Sequence, residues 1–389
     1  EDGSMFGYSS WDMLGYAVYL RDELSYSPVK SVTFRSGLDV MFSRYDYELD
    51  IMGATGFLAS QDEQYFSVMG AYGNLEYRPI SQWQITPGIR YDYYADIEEG
   101  QPSFRITSRY EYVPGLTLKG AAGTYSQFPK PWGQSTDEAW GNPDLPSTKA
   151  AQYTLGHEWK VSDLVSLEAE GYYNTQWDVP NYTDSINPET GVKYNFLPDM
   201  EARMYGLEFM LRHDRGKRFF GWISYTLSRS ERRAPNAFTE GNAGVDNWDP
   251  EEWVVSEYDQ THNLQFLGSW RLFRTWEAGF RLRYVTGNPM TPLLSYTENE
   301  FEYDSDEGDY SANMGEAFSD RMGPFMQLDL RVDKKFVFNS WMLTTYLDFR
   351  NVNYFFYNSP EFYDYNYDGS KRETVGAIFL PSLGVSAQF

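Results

Sequence analysis

The residues best suited to chemistry in this chain are charged side chains held at even spacing. They are Arg35 and Asp39, Arg90 and Asp92, Glu168 and Glu170, Glu208 and Arg212, Arg281 and Arg283, Asp329, Arg331 and Asp333, and Asp348 and Arg350. A β-strand sends successive side chains to opposite faces, so each such set shares one face of its strand. Acids and bases in one row hold each other charged. A row of this kind could line a wet passage or grip a second domain. Ion pairing across a solvated wall is the competing reading.

Other chemistries are weaker or excluded. Asp364-Tyr365-Asn366-Tyr367-Asp368-Gly369 matches the opening of a calcium loop, with oxygen donors on Asp364, Asn366 and Asp368. The position where such a loop needs a bidentate Glu is Val375, and Glu373 falls two residues early. A tyrosine-rich acidic surface loop competes with a Ca²⁺ site there. Asp304, Asp306, Glu307 and Asp309 form a second acidic cluster with less claim on a metal. Trp132, Trp140, Trp177, Trp248 and Trp253 lie in loop-like segments and could stack on a sugar, a haem or an aromatic chelator. They could equally anchor loops or sit at a membrane interface. The chain has 3 His and 0 Cys, which removes thiol catalysis and leaves the scattered His157, His213 and His262 without metal-spaced partners. There is no Gly-x-Ser-x-Gly elbow and no glycine-rich phosphate loop. The expectation is a protein that is not an enzyme.

The elements that position the charged rows are strands. Met326 to Asp333 alternates without a break, with Met326, Leu328, Leu330 and Val332 opposing Gln327, Asp329, Arg331 and Asp333. The same pattern recurs over 31–44, 84–93, 167–173, 207–212, 277–284 and 343–350. In a soluble sheet each apolar row would need a second layer. In a membrane barrel lipid covers it, and the charged row faces a wet lumen. Short connections near Ser27–Lys30, Pro79–Trp83, Val113–Gly115, Ser162–Asp163, His213–Lys217, Phe273–Thr275 and Asn339–Ser340 alternate with long loops. The long ones are expected near 45–63, 95–102, 127–147, 177–200, 231–257, 287–321 and 354–373. Tight periplasmic turns and long extracellular loops give this alternation.

Composition agrees. The formal net charge is −24, from 32 Lys plus Arg against 56 Asp plus Glu, which argues against nucleic acid as a partner. High net charge usually marks disorder, but 33 Tyr, 26 Phe and 12 Trp fit aromatic belts instead. The fold class expected is all-β: an antiparallel transmembrane barrel of about 15 strands in the bacterial outer membrane. Residues 1–389 read as a single domain. With an odd strand count and Phe389 at the periplasm, residue 1 would start outside the cell, so the barrel is expected to be incomplete on its N-terminal side.

Several stretches resemble TonB-dependent outer-membrane receptors. Gly141-Asn142-Pro143-Asp144-Leu145 precedes a strand that opens at Ala151-Gln152-Tyr153-Thr154-Leu155-Gly156. Leu116 to Gly120, with Tyr125 and Pro129, is similar to the preceding strand and its loop. Gly221 to Ser230, Tyr258 to Leu264, Arg283 to Pro289, Gln327 to Lys334 and Phe379 to Gly384 continue the likeness, which covers Gly115 to Phe389 well and the first hundred residues more loosely. The resemblance implies a barrel of about 22 strands holding a plug domain and a box that binds TonB. Neither the plug nor the box is found in this chain. It further implies binding and energised import of a scarce nutrient: an iron chelate, a vitamin complex, a glycan or a peptide. The partners would then be outer-membrane lipid and lipopolysaccharide, a plug and further strands in the same or a second chain, and the TonB system indirectly. The alternative is a structural barrel, or half of a split receptor, serving other outer-membrane subunits without transport of its own.

Overall fold

The computed structural model describes residues 8–53, 56–129, 142–182, 196–216, 218–234, 252–292, 301–304, 309–312, 316–357, 362–365, 371–374 and 378–389. Fifteen long strands follow one another in chain order through one antiparallel sheet. They are β1 (Tyr8–Val29), β2 (Val32–Gly53), β3 (Gly56–Ile80), β4 (Trp83–Tyr94), β5 (Glu99–Val113), β6 (Leu116–Gln127), β7 (Thr148–Lys160) and β8 (Val165–Tyr182). Then come β9 (Phe196–His213), β10 (Phe219–Arg233), β11 (His262–Phe273), β12 (Trp276–Val285), β13 (Phe325–Val337), β14 (Met342–Arg350) and β15 (Leu380–Gln388). Each pairs with its neighbour in sequence. Among the described residues β1 pairs only with β2 and β15 only with β14, so the two edges do not meet.

The period-two patterning gives the sheet two unlike faces. One presents large apolar side chains that no protein layer covers: Leu20 is 61% exposed, Leu38 60%, Leu155 64% and Val385 70%. The other carries the charged rows. Register propagates this division, because Asp39 opposes Gly70, Gly70 opposes Asp92, Glu170 opposes Glu208 and Arg281 opposes Asp329. Apolar surface left in water costs roughly 25 cal/mol per Å², so a continuous outward belt of Leu, Val and Tyr is stable only against another apolar phase.

The short connections sit where the sequence places them. Pro114-Gly115 closes the β5–β6 turn with Gly115 at φ 82, a left-handed backbone that favours glycine. Register shifts recur just before several of these turns, at Tyr26/Val29, Tyr77/Ile80, Glu111/Val113 and Arg271/Phe273. Bulges there tighten the local twist as each hairpin closes.

The other end of the sheet differs from expectation in places. No long loop spans 45–63: β2 and β3 run on as a ladder to Gly53 opposite Gly56. The segment keeps its period, Tyr45, Tyr47, Leu49 and Ile51 alternating with Asp46, Glu48, Asp50 and Met52, but its polarity resembles a loop. Likewise 95–102 shrinks to a 3₁₀ turn over Ala95–Ile97, and β5 begins at Glu99. Elsewhere the long connections hold short ladders: Val254–Val255 on β10, Pro289–Met290 with Asp320–Arg321, Phe301–Asp304 with Asp309–Ala312, and Phe362–Tyr365 with Lys371–Thr374. Before β7, the Asn142 side chain accepts from Asp144 N at 2.9 Å and donates to Phe196 O at 3.0 Å, and Leu145 is fully buried.

Candidate functional site on the charged face

Ladder register carries every charged residue singled out in the sequence to the face opposite the apolar belt, where they gather into groups. The first group centres on Arg90. Its guanidinium donates Nη1 to Asp39 Oδ2 at 2.6 Å, Nη2 to Asp92 Oδ1 at 2.6 Å and Nε to Asp92 Oδ2 at 2.8 Å. Both carboxylates are 7% exposed. Arg21 approaches Asp39 at 3.6 Å and donates to Tyr72 Oη at 2.8 Å, while the Tyr72 hydroxyl donates to Glu23 at 2.6 Å. Tyr19 Oη also donates to Asp39 at 2.8 Å. A Cβ built on Gly70 would collide with the Arg90 guanidinium and with Asp92 Oδ1. Glycine there lets the fork lie flat across β3. Arg35 stands apart and pairs loosely with Glu76 at 3.4 Å.

A second group spans β12 to β14. Arg281 donates to Asp329, which is 8% exposed and also accepts from Gln327 Nε2 at 3.0 Å and from Asn351 N at 2.9 Å. Arg331 forks onto Asp333 at 2.9 and 3.0 Å and lies over the Tyr346 ring at 3.9 Å. Arg350 reaches Asp348 at 3.5 Å, and Arg283 lies over Phe325. Arg212 pairs with its neighbour Asp214 at 2.7 Å.

Between these groups the pairing stops. Glu158 takes Arg109 at 2.8 Å and Glu168 takes Lys119. Glu170 and Glu208 face each other across β8 and β9, and among the described residues neither has a cation partner. They line an open hollow of about 530 Å³ with Gln152, Thr154, Tyr172 and Asn174. This is the one stretch of the face where neighbouring acids are not neutralised by the described residues.

Sequence reasoning missed a lock at the long-loop end. Asp259, 1% exposed, accepts from Arg321 Nη2 at 2.5 Å, from Ser230 N at 2.7 Å and from Thr261 Oγ1 at 3.1 Å. Arg321 Nη1 also donates to the carbonyls of Asp259 and Gly287. The partners lie far apart in sequence, so no local pattern announces them. The turn after β4 holds Asp96, whose carboxyl is raised above the ordinary carboxylate range by burial, against a 2.7 Å hydrogen bond donated by Ser67 N.

The tryptophans and the acidic motif fare unevenly. Trp253 is held between two guanidinium groups, Arg203 at 4.2 Å and Arg233 at 4.8 Å from its ring. Trp177 lies on the outward face of β8 opposite Lys149. Trp132, Trp140 and Trp248 lie outside the described residues, as do Asn366 and Asp368. Asp364 stands opposite Arg372 in a short ladder. Among the described residues no group of His, Asp and Glu is arranged to hold a metal ion.

Comparison with known proteins places this geometry. A family model described as "TonB dependent receptor-like, beta-barrel" matches residues 4–382. The outer membrane transporter YddB from Escherichia coli superposes with a TM-score of 0.68 at 12% identity, over 98% of this chain and 55% of that one. The ferripyoverdine receptor of Pseudomonas aeruginosa gives 0.64 at 12% identity, over 98% and 49%. The ferric citrate transporter FecA gives 0.59 at 14%, over 100% and 56%. The chain therefore spans about half the length of the solved structures it matches. A search of curated protein sequences finds no match.

Proposed function

Because this chain belongs to the TonB-dependent receptor-like β-barrel family, we propose that it forms the wall of a transporter that captures a scarce nutrient and imports it with energy supplied through TonB. The protein resides in the outer membrane, and its family is one of transporters rather than enzymes. The short turns then face the periplasm and the long loops the exterior. The charged face lines the lumen, and its fixed ion pairs grip a plug. Metal chelates are the first class of cargo to test, since relatives with this fold include a ferric citrate transporter and a ferripyoverdine receptor. Vitamin complexes, glycans and peptides follow.

The observation that carries this reading is the unneutralised Glu170–Glu208 pair, set within a face whose other singled-out acids each have a cation partner. Interior charges left open in a wet barrel are suited to a moving or removable partner rather than to a fixed wall. The test is uptake by cells with and without the whole gene, using labelled ferric chelates, a corrinoid, oligosaccharides and peptides, before and after the proton gradient is collapsed. Loss of one gradient-dependent uptake on deletion is expected. Unchanged energised uptake of every class would overturn the proposal.

A further inference from the structure

The outward side of the sheet carries a feature that transport does not require. Tyr153, Leu155, Tyr173, Tyr205 and Leu207 border an open groove of about 1000 Å³ across β7, β8 and β9. Gly171 forms its floor: a Cβ built there would meet Leu207 Cδ2 at 3.4 Å, so the glycine keeps the channel between Leu155 and Leu207 deep. Tyr173 and Tyr205 stack with centroids 6.2 Å apart and wall its upper part.

At the long-loop end the same outward row turns from apolar to charged, and beyond the rungs described next Arg233 opposes and pairs with Glu201 at 2.9 Å. Tyr205 opposes Arg229, which lines the groove, and the next outward pair is Arg203 opposite Glu231. Glu231 is 7% exposed and is held by Nε of Arg203 at 2.6 Å and Nε of Arg229 at 3.1 Å. Each guanidinium thus spends one N–H on the shared carboxylate. Among the described residues the terminal amino groups of both have no acceptor. Two guanidinium edges above an apolar groove match a phosphate above an acyl chain, and Arg presents the fork that phosphate oxygens favour.

We propose that this surface seats one phosphorylated, multiply acylated lipid of the outer leaflet, of the lipopolysaccharide class. Its phosphate contacts the amino groups of Arg203 and Arg229, and one acyl chain lies along Gly171 between Leu155 and Leu207. Glu231 is a positioning residue that holds the two arginines together. The site is independent of the transported cargo.

The experiment uses the whole protein extracted from outer membranes, exchanged into mild detergent and weighed by native mass spectrometry. Wild type should retain one such lipid per protein. Arg203→Gln/Arg229→Gln/Glu231→Gln removes the cations together with the buried carboxylate, and should lower retention at least ~tenfold, as two charge-assisted contacts are lost. Gly171→Leu fills the groove and should lower it comparably with the arginines intact. Arg215→Gln, at the opposite end, controls for loss of charge alone and should change nothing. Competition separates the sources: intact lipopolysaccharide should displace the bound lipid, whereas inorganic phosphate or the deacylated headgroup should not. Wild-type retention by either the triple variant or Gly171→Leu overturns the proposal, as does displacement by inorganic phosphate.

Discussion

Replacing Arg90 by Met tests whether the charged face is a set of obligatory pairs. The fork of Arg90 is the only partner of Asp92 among the described residues, whereas Asp39 keeps Tyr19 at 2.8 Å and Arg21 at 3.6 Å. Removing one partner of a buried pair costs about 3–5 kcal/mol, because the remaining charge is stranded. Asp92 supplies most of that here, and Asp39 adds less. Arg90→Lys should fall between, since one ammonium can satisfy one carboxylate but cannot fork. Arg90→Met/Asp39→Asn/Asp92→Asn should recover most of the loss, because neutral amides do not need the cation. The assay is thermal unfolding of the whole protein in detergent, read by heat-modifiable gel mobility. If Arg90→Met costs less than ~1 kcal/mol, the face behaves as a water-screened wall. If the triple variant is no better than the single, stranded charge is not the cause.

Related outcomes are expected elsewhere. Gly70→Val should destabilise comparably to Arg90→Met, by displacing the fork, and combining the two should cost little more; additive losses in the same melt would argue against a shared cause. Arg321→Met should loosen the rim by about 3 kcal/mol, seen as faster amide exchange at Met322 and Thr286, because Asp259 is left buried with only Ser230 N and Thr261. Unchanged exchange would remove the lock. Asp96 has a folded pKa above its unfolded value, so the fold binds that proton more tightly. Its contribution to the Ala95–Ile97 turn is full below the unfolded value and falls as pH rises through the folded one, which burial sets above the ordinary carboxylate range. Asp96→Asn should flatten that dependence in pH-resolved exchange; a turn whose protection rises with pH would refute the sign. Glu170→Gln/Glu208→Gln should leave the melt within ~1 kcal/mol while changing energised uptake, and a large stability loss with uptake intact would assign the pair to structure.

The strand patterning made the sheet and its charged face legible, because one periodicity sets both. Hairpin length was less so. In β2 the alternation continues through an acidic row, Asp46, Glu48 and Asp50, and in β3 Ser60 to Gln64 is polar at every position, a composition that resembles a loop although the ladder runs through it. Tyr19, Arg21 and Glu23 alternate on β1 in plain view, yet their role depends on Tyr72 and Asp39 arriving from β3 and β2. The Asp259–Arg321 lock is fixed by the geometry of loops, which no periodicity encodes. Trp253 was legible as an exposed aromatic, but not as a ring already occupied by Arg203 and Arg233.

The outward row also records where the membrane ends. On β4 it runs from Trp83 through Ile85 and Ile89 to Tyr91 and Tyr93, aromatic at both limits. Ten steps at ~3.3 Å, tilted by ~40°, project to ~25 Å, the height of an outer-membrane apolar band. Asp96 lies immediately past that limit, in the turn that follows β4. On β9 and β10 the same boundary falls between Tyr205 and Arg203, and between Leu227 and Arg229. Arg203 and Arg229 are therefore set at the height of lipid phosphates rather than of solvent-filled loops. The carboxylate they share could not stand buried at that depth without both of them. A cation pair fixed there by its own anion, over a groove floored by glycine, is a surface shaped by the bilayer as much as by the barrel.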